Sequence, residues 1–341
     1  MAANRLPDPV RLYERRVVAV DSAPSERVSP CPVCDEELAR PCFEIEDFAS
    51  RVIECTGCGL GRVHPVPGPE ELRALYPDNY YGEPGTKFQP LVERAVRVVG
   101  ERHIGFLSRG LAPGARVLDV GCGRGVILGA LADRGFEVHG VEISPEAARG
   151  ADPRAEIRIA SKLSEAGYPD ATFDEVIVWH VLEHLSDPRG TLEEIHRVLA
   201  PGGRLIVAVP NFSSAQARWT GAAWFHLDLP RHVYHFPLAA LERLIERAGF
   251  EVGRAYHFSL RQNPFGWIQS VSNMIPGLPR NGLYTLLHRR TAAGAVPFGP
   301  VTRVLLWAWL VVSAGPAIAA SFLETACRTG ATVHVVAKRP R

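Results

Sequence analysis

Between Gly110 and Leu260 short apolar runs alternate with longer segments whose apolar positions recur at helical spacing. The pattern predicts strands at Arg116–Val120, Glu137–Glu142, Ile157–Ala160, Glu175–Trp179, Arg204–Val209 and Glu251–Leu260. It predicts helices over Val126–Arg134, closed by Gly135, from Pro145 to Gly150, over Thr191–Leu199, stopped by Pro201-Gly202-Gly203, and over Leu238–Ala248, stopped by Gly249. This alternation predicts an α/β domain, a parallel sheet covered by helices on both faces. A last strand, Thr329–Ala337, follows a long apolar insertion.

The N-terminal third lacks that rhythm. Residues 1–27 read as a polar, flexible lead-in, and residues 28–68 carry two Cys-x-x-Cys pairs and end in Pro65-Val66-Pro67-Gly68-Pro69. Residues 69–110 read as linker helices, at Glu70–Tyr76 and Leu91–Leu107, around the turn Asn79-Tyr80-Tyr81-Gly82. The main domain is then 111–341, with a helical insertion at 261–328.

Composition is ordinary for a globular protein and the formal net charge is +1. The chain has neither a dense basic face nor a basic tail, which argues against a nucleic-acid partner. Residues Arg5–Arg16 are charged and lack an apolar core, so no signal peptide is expected. Four of the seven cysteines sit in the two pairs, which suggests metal use in a reducing, cytoplasmic setting.

Val117-Leu118-Asp119-Val120-Gly121-Cys122-Gly123-Arg124-Gly125 holds the candidate cofactor turn. A strand ending in an acidic residue breaks into glycines at the sheet edge where open α/β folds bind ligands. Glycines let a cofactor lie against the main chain. A dinucleotide is the obvious rival, but its Gly-x-Gly-x-x-Gly fingerprint needs glycine at position 126, which is Val126. Glu142, at the end of the second strand, can accept hydrogen bonds from ribose hydroxyls, a need shared by several adenosine cofactors.

The glycine turn, then Phe173-Asp174-Glu175-Val176-Ile177-Val178-Trp179-His180-Val181-Leu182-Glu183-His184-Leu185-Ser186-Asp187-Pro188, then Leu199-Ala200-Pro201-Gly202-Gly203-Arg204-Leu205, resemble class I S-adenosylmethionine-dependent methyltransferases from about Gly110 to Leu260. The resemblance implies a Rossmann-like, doubly wound, seven-stranded sheet. It implies that Gly121, Gly123 and Gly125 line the methionine end of S-adenosylmethionine and that Glu142 holds the ribose. Asp119 would anchor the turn or the amino group, and Ile143 and Leu163 would flank the adenine. Many relatives carry an aspartate near Ala160-Ser161-Lys162; this chain does not, which leaves the adenine contact mainly to backbone.

Cys31-Pro-Val-Cys34 and Cys55-Thr-Gly-Cys58 can supply four thiolates to one structural Zn²⁺, with Gly57 and Gly59 allowing the tight turn and Cys42 and His64 as bystanders. A closed four-thiolate site has no open catalytic position. The two cysteine pairs, the Pro-x-Pro run and the tyrosine turn, with Trp224 and Leu229-Pro230-Arg231-His232-Val233-Tyr234-His235-Phe236, resemble a bacterial methyltransferase subfamily bearing an N-terminal zinc ribbon. Its members include sugar C-methyltransferases and enzymes encoded with polysaccharide or lipid biosynthesis.

Methyl transfer needs alignment and, for an oxygen or carbon acceptor, a base. His180 follows the fourth strand and His184 comes a helical turn later, with Glu183 free to orient a histidine, meet substrate or brace the turn. After the fifth strand, the segment 226–235 reads as a lid, with His232 an alternative base, Arg231 an anchor for an anionic group and His235 a packing residue. Tyr80 and Tyr81 close the substrate pocket or pack the linker.

Val304–Leu323 is twenty residues without a charge, long enough for a membrane span. A single crossing would separate the last strand from its sheet, and Gly315-Pro316 is expected to break or kink a helix. Trp267, Met274 and Leu278 with Arg280, Arg289 and Arg290 suit an interfacial hairpin, while a homodimer contact or a core-packing helix pair fits as well. The expectation is a methyltransferase acting on oxygen or carbon of a sugar or lipid-linked acceptor, cytoplasmic or peripheral to the cytoplasmic membrane face. The alternatives are a non-catalytic nucleotide- or nucleic-acid-binding ribbon module and, disfavoured by Val126, an NAD-linked oxidoreductase.

Overall fold

The computed structural model describes residues 16–20, 23–46, 50–68, 71, 103–287 and 298–341. Tyr80, Tyr81, most of the segment Glu70–Tyr76 and the first part of Leu91–Leu107 lie outside the described residues; 103–107 is helical.

A small sheet opens the chain. It comprises β1 (Val17–Ala19), β2 (Glu26–Arg27), β3 (Leu38–Ile45), β4 (Arg51–Cys55) and β5 (Gly61–His64), paired antiparallel. Two of these strands fall in the stretch expected to be a flexible lead-in. Val17, Val18 and Ala19 pair with β3, so a short apolar run inside the otherwise polar lead-in is fixed by backbone pairing.

The main sheet follows. β6 (Arg116–Val120) leads through the glycine turn into α1 (Val126–Ala132). β7 (Glu137–Glu142), α2 (Pro145–Ala148), β8 (Glu156–Ile159), β9 (Phe173–Trp179), α3 (Pro188–Val198) and β10 (Leu199–Pro210) succeed one another. Local signals set the helix starts. Ser144 Oγ accepts from Ala147 N at 3.1 Å, Asp187 Oδ1 accepts from Gly190 N at 2.9 Å, and Pro145 and Pro188 occupy first-turn positions. Then come α4 (Ala215–Thr220), β11 (Tyr234–His235), α5 (Leu238–Arg247), β12 (Glu251–Tyr256), α6 (Asn263–Met274), α7 (Gly282–Leu287), α8 (Pro300–Ala326) and β13 (Thr332–Lys338).

Seven strands lie in the order β12-β13-β10-β9-β6-β7-β8. β8, β7, β6, β9 and β10 are parallel, whereas β13 runs antiparallel to both β10 and β12, so the expected parallel sheet is mixed at one side. Alternating side chains bury both faces. Leu118, Val176 and Val178 pack with Leu192, Ile195, Leu241 and Leu244 on one face, and Val117 and Ile177 with Leu107, Leu128 and Leu131 on the other.

α6, α7 and α8 fill the insertion. α8 runs unbroken through Gly315-Pro316, contrary to expectation, over about 40 Å. The proline withdraws the hydrogen bond owed to the carbonyl of Val312, a residue 71% exposed, where water can replace it. One stripe of α8 (Leu306, Ser313, Ala317, Ser321, Glu324) is buried. Trp309 Nε1 donates to Ile268 O at 3.0 Å and Trp267 Nε1 to Glu324 Oε2 at 2.9 Å, locking α8 to α6.

Candidate active site

The strand order turns back between β6 and β9, with β7 and β8 on one side and β10 on the other. The crevice at the carboxyl ends of β6 and β9 is where such sheets bind ligands. Gly121, Gly123 and Gly125 there all have left-handed backbones (φ +73°, +53° and +64°). A Cβ on Gly121 would lie 2.6 Å from Val181 Cγ2, so the β9 loop sits directly on the glycine turn. Glu142 secures the turn from below. Its Oε2 accepts from Gly123 N at 2.9 Å, and its Oε1 from Ile143 N and Ser144 N at 2.9 and 3.0 Å. The carboxylate expected to hold the ribose is thus engaged by three amides, which also aims it at the glycine turn.

Asp119 is buried beneath the turn. Burial first, and the Glu142 charge second, push its carboxyl up to about 8. Ile143 is 57% exposed and Val126 76%, open apolar surface beside the crevice. Leu163, expected beside the adenine, is instead 4% exposed and packed in the main core, because the turn at Leu163–Ala166 points it inward.

On the β9 side, His180 takes a left-handed backbone (φ +54°), a strained conformation for a residue with a Cβ. Its N–H donates to Ala208 O at 2.9 Å, tying it to β10. Its Nδ1 lies 3.3 Å from Glu183 Oε1 and its Nε2 3.5 Å from Gln262 Nε2. Gln262, just ahead of α6, was not foreseen; no motif marks it, and only the fold brings it here. A cavity of about 980 Å³ adjoins, lined by Trp179 and Gln262 and by Arg109, Arg254, Arg261 and Arg328.

The lid residues sit differently from expectation. Arg231 is 6% exposed and ion-paired with Asp228, so it staples the lid and does not present an open cation. His232 is 8% exposed; its Nδ1 donates to His226 O at 2.8 Å, and burial holds its pKa well below the ordinary value. That burial removes it as an accessible base. His184 Nδ1 donates to Arg231 O at 2.9 Å, bracing the lid against the β9 loop. His235 is buried, as expected of a packing residue.

Residues 93–254 match the family model described as a methyltransferase domain. A ubiquinone biosynthesis O-methyltransferase of Xanthomonas oryzae pv. oryzae is 32% identical over 132 residues, 36% of this chain and 55% of the relative. Residues 93–254 thus make a methyltransferase domain. A Mycolicibacterium smegmatis protein named "Probable S-adenosylmethionine-dependent methyltransferase" is 37% identical over 143 residues, 41% of this chain and 53% of the relative. The chain therefore spans about half the length of these curated relatives. Among solved structures, phosphoethanolamine N-methyltransferase 2 of Haemonchus contortus aligns at TM-score 0.44 and 18% identity, over 71% of this chain and 53% of that one.

The cysteine cluster stands against this methyltransferase domain. Cys31 Sγ and Cys58 Sγ are 3.6 Å apart, and Cys34 Sγ and Cys55 Sγ 3.5 Å. Tetrahedral Zn²⁺ with bonds near 2.3 Å needs thiolates about 3.8 Å apart, so the four residues fit the ion. Neither Cys42 nor His64 belongs to the group. Gly57 admits the close turn, since a Cβ there would lie 3.2 Å from Cys34 Sγ. Arg189 and Arg247 of the methyltransferase domain bind the first knuckle at Pro32 O, Val33 O and the Asp35 carboxylate. The small N-terminal sheet also takes β11 from the segment 226–235, pairing Tyr234 with Arg62 and His235 with Gly61.

Proposed function

We propose that the protein transfers a methyl group from S-adenosylmethionine to an oxygen of a sugar or lipid-linked acceptor, with His180 as the base. The observation that carries this reading is His180 itself. It stands at the β6/β9 crevice in a strained backbone, oriented by Glu183 Oε1 at 3.3 Å and facing Gln262, which lines the adjoining cavity. S-adenosylmethionine supplies an already activated methyl. The protein's share is to align the acceptor and take its proton, work suited to an imidazole. Gly121, Gly123 and Gly125, with Asp119, Glu142 and Ile143, would hold the cofactor, and the four cysteines a structural Zn²⁺. The O-methyltransferase names of the curated relatives support oxygen over carbon as the acceptor atom.

Two features support an anionic, lipid-linked acceptor. Four arginines line the cavity beside Trp179 and Gln262, and α8, whose end contributes Thr325 to that cavity, turns Val304, Val311, Val312, Phe322 and Leu323 outward. α8 is long and apolar enough to cross a membrane. However, β12 before it and β13 after it pair in one sheet, so the helix lies on a cytoplasmic membrane surface in our reading. Tyr80 and Tyr81 remain candidate acceptor contacts. A non-catalytic binding module is disfavoured by the methyltransferase domain.

The test incubates the protein with methyl-labelled S-adenosylmethionine and a total bacterial extract partitioned into organic and aqueous phases. Label should enter an organic-phase, alkali-stable product with wild type and disappear with His180→Asn. Label confined to water-soluble products would defeat the lipid-linked acceptor, and undiminished labelling by His180→Asn would defeat the base. Flotation with anionic liposomes should be lost on Val304→Glu/Val311→Glu/Phe322→Glu; equal flotation, or a shift from dimer to monomer instead, would assign α8 to a partner subunit.

A further inference from the structure

Glu183, His184 and His232 converge at the junction between the β9 loop and the lid, each with a ligating atom within 4.8 Å of the others. Hydrogen bonding settles which ring nitrogens are left to bind an ion. His184 Nδ1 meets Arg231 O at 2.9 Å and His232 Nδ1 meets His226 O at 2.8 Å. A carbonyl oxygen only accepts, so both Nδ1 atoms carry the proton, and in each neutral ring the lone pair sits on Nε2. That is the arrangement of metal-bound histidines, whose second ring nitrogen donates to a backbone carbonyl and fixes the tautomer.

The surroundings supply acceptors where a lone pair would want a donor. His232 Nε2 lies 3.6 Å from Asp228 Oδ2, another acceptor. Glu183 is 1% exposed; its Oε1 faces His180 while its Oε2 is buried with no hydrogen-bond partner among the described residues. The two imidazole rings stand 4.6 Å apart at 70°, so they approach one point from different directions. An orphaned buried carboxylate oxygen beside imidazole lone pairs is an electron-rich pocket that a cation would satisfy.

We propose that Glu183, His184 and His232 bind a divalent first-row transition-metal ion such as Zn²⁺, at a site separate from the four cysteines. Two imidazoles and one carboxylate suit such an ion, with bonds near 2.0–2.2 Å that small side-chain rotations would reach. Three protein ligands leave a coordination position for water, and half-exposed His184 gives a way in. The ion would clamp the lid, through His232, to the β9 loop, where Val233 N already donates to Glu183 O at 2.8 Å. It would also sit one carboxylate away from His180.

Full-length protein, treated with dipicolinate to empty weak sites, is titrated with Zn²⁺ or Co²⁺ and its retained metal measured by mass spectrometry after gel filtration. Wild type should hold a second equivalent beyond that held by the cysteines. Glu183→Gln, His184→Gln and His232→Gln should each weaken that equivalent at least tenfold and leave the cysteine-bound one in place. The wild-type Co²⁺ spectrum needs no variant: the second equivalent should add weak visible d–d bands without near-ultraviolet thiolate charge transfer. A single equivalent in wild type, or a second whose spectrum is thiolate-like or that survives all three substitutions, would overturn the site.

Discussion

The two walls of the crevice are built on different principles. The wall proposed to hold the cofactor comes from near-contiguous chain: Asp119 to Gly125, then Glu142 to Ser144, joined by amide-to-carboxylate bonds such as Gly123 N to Glu142 Oε2 at 2.9 Å. The wall proposed to meet the acceptor is assembled from distant pieces: His180 to His184 after β9, the segment 226–235, Gln262 ahead of α6, and β5 of the small sheet, which pairs with β11. A wall of backbone amides is specified by glycines and one carboxylate. A wall of converging side chains depends on every element that carries them. Each wall should therefore fail separately.

The largest expected effect lies on the acceptor wall. His180→Asn should lower kcat by about 10²–10⁴ while leaving S-adenosylhomocysteine affinity within about twofold, because no cofactor-wall bond passes through its ring. Calorimetric binding combined with steady-state methyl transfer checks it. Equal losses in kcat and cofactor affinity would mean that the walls are not separable at His180.

Gly121→Val tests the cofactor wall. Even a Cβ there would lie 2.6 Å from Val181 Cγ2, and the left-handed backbone adds strain. Cofactor affinity should fall by about 100-fold, roughly 2.7 kcal/mol, with the melting temperature lowered as well. Retained affinity would show that the turn rearranges and that Val181 does not fix it.

Cys31→Ser asks which wall the ribbon serves. If the four cysteines hold the proposed Zn²⁺, its loss should unfold the small sheet and release β11, so acceptor methylation should collapse while S-adenosylhomocysteine still binds within about threefold. Limited proteolysis should then cut within 225–236, a loop of lowered local stability. Protection of that loop in the zinc-free protein would detach the lid from the ribbon.

The same contrast explains what the sequence could tell. β6 and β7 coincide with their expected ranges, since each is an apolar run closed by an acidic residue and a turn. β11 is two residues long and has no period to read. The direction of β13 was hidden because the long insertion before it can return the chain either way. Arg231 reads as an anion anchor by charge alone; only the fold buries it and places the Asp228 carboxylate against it. Likewise His232 carries the chemistry of a base but not its exposure, and Leu163 the apolarity of an adenine wall but not its openness. Periodicity is local and survives in sequence, whereas burial of a single polar side chain is a property of the whole packing.

The smallest effect is a slope. Asp119 has a folded pKa of about 8 against an ordinary 3.8, raised by burial and by the Glu142 charge. Its contribution to stability is therefore full below about pH 4 and is lost progressively as pH rises through 8. A cation bound beside it reverses the preference, because the ionised carboxylate is then favoured. Binding S-adenosylmethionine below pH 8 should release a proton, and affinity should rise with pH between 6 and 8, by at most about tenfold per unit. Asp119→Asn should flatten the slope and raise the urea midpoint most at pH 8. Calorimetry in two buffers of different ionisation enthalpy measures the released proton directly. A slope that persists in Asp119→Asn would move the linkage to another group and leave Asp119 as a support for the turn alone.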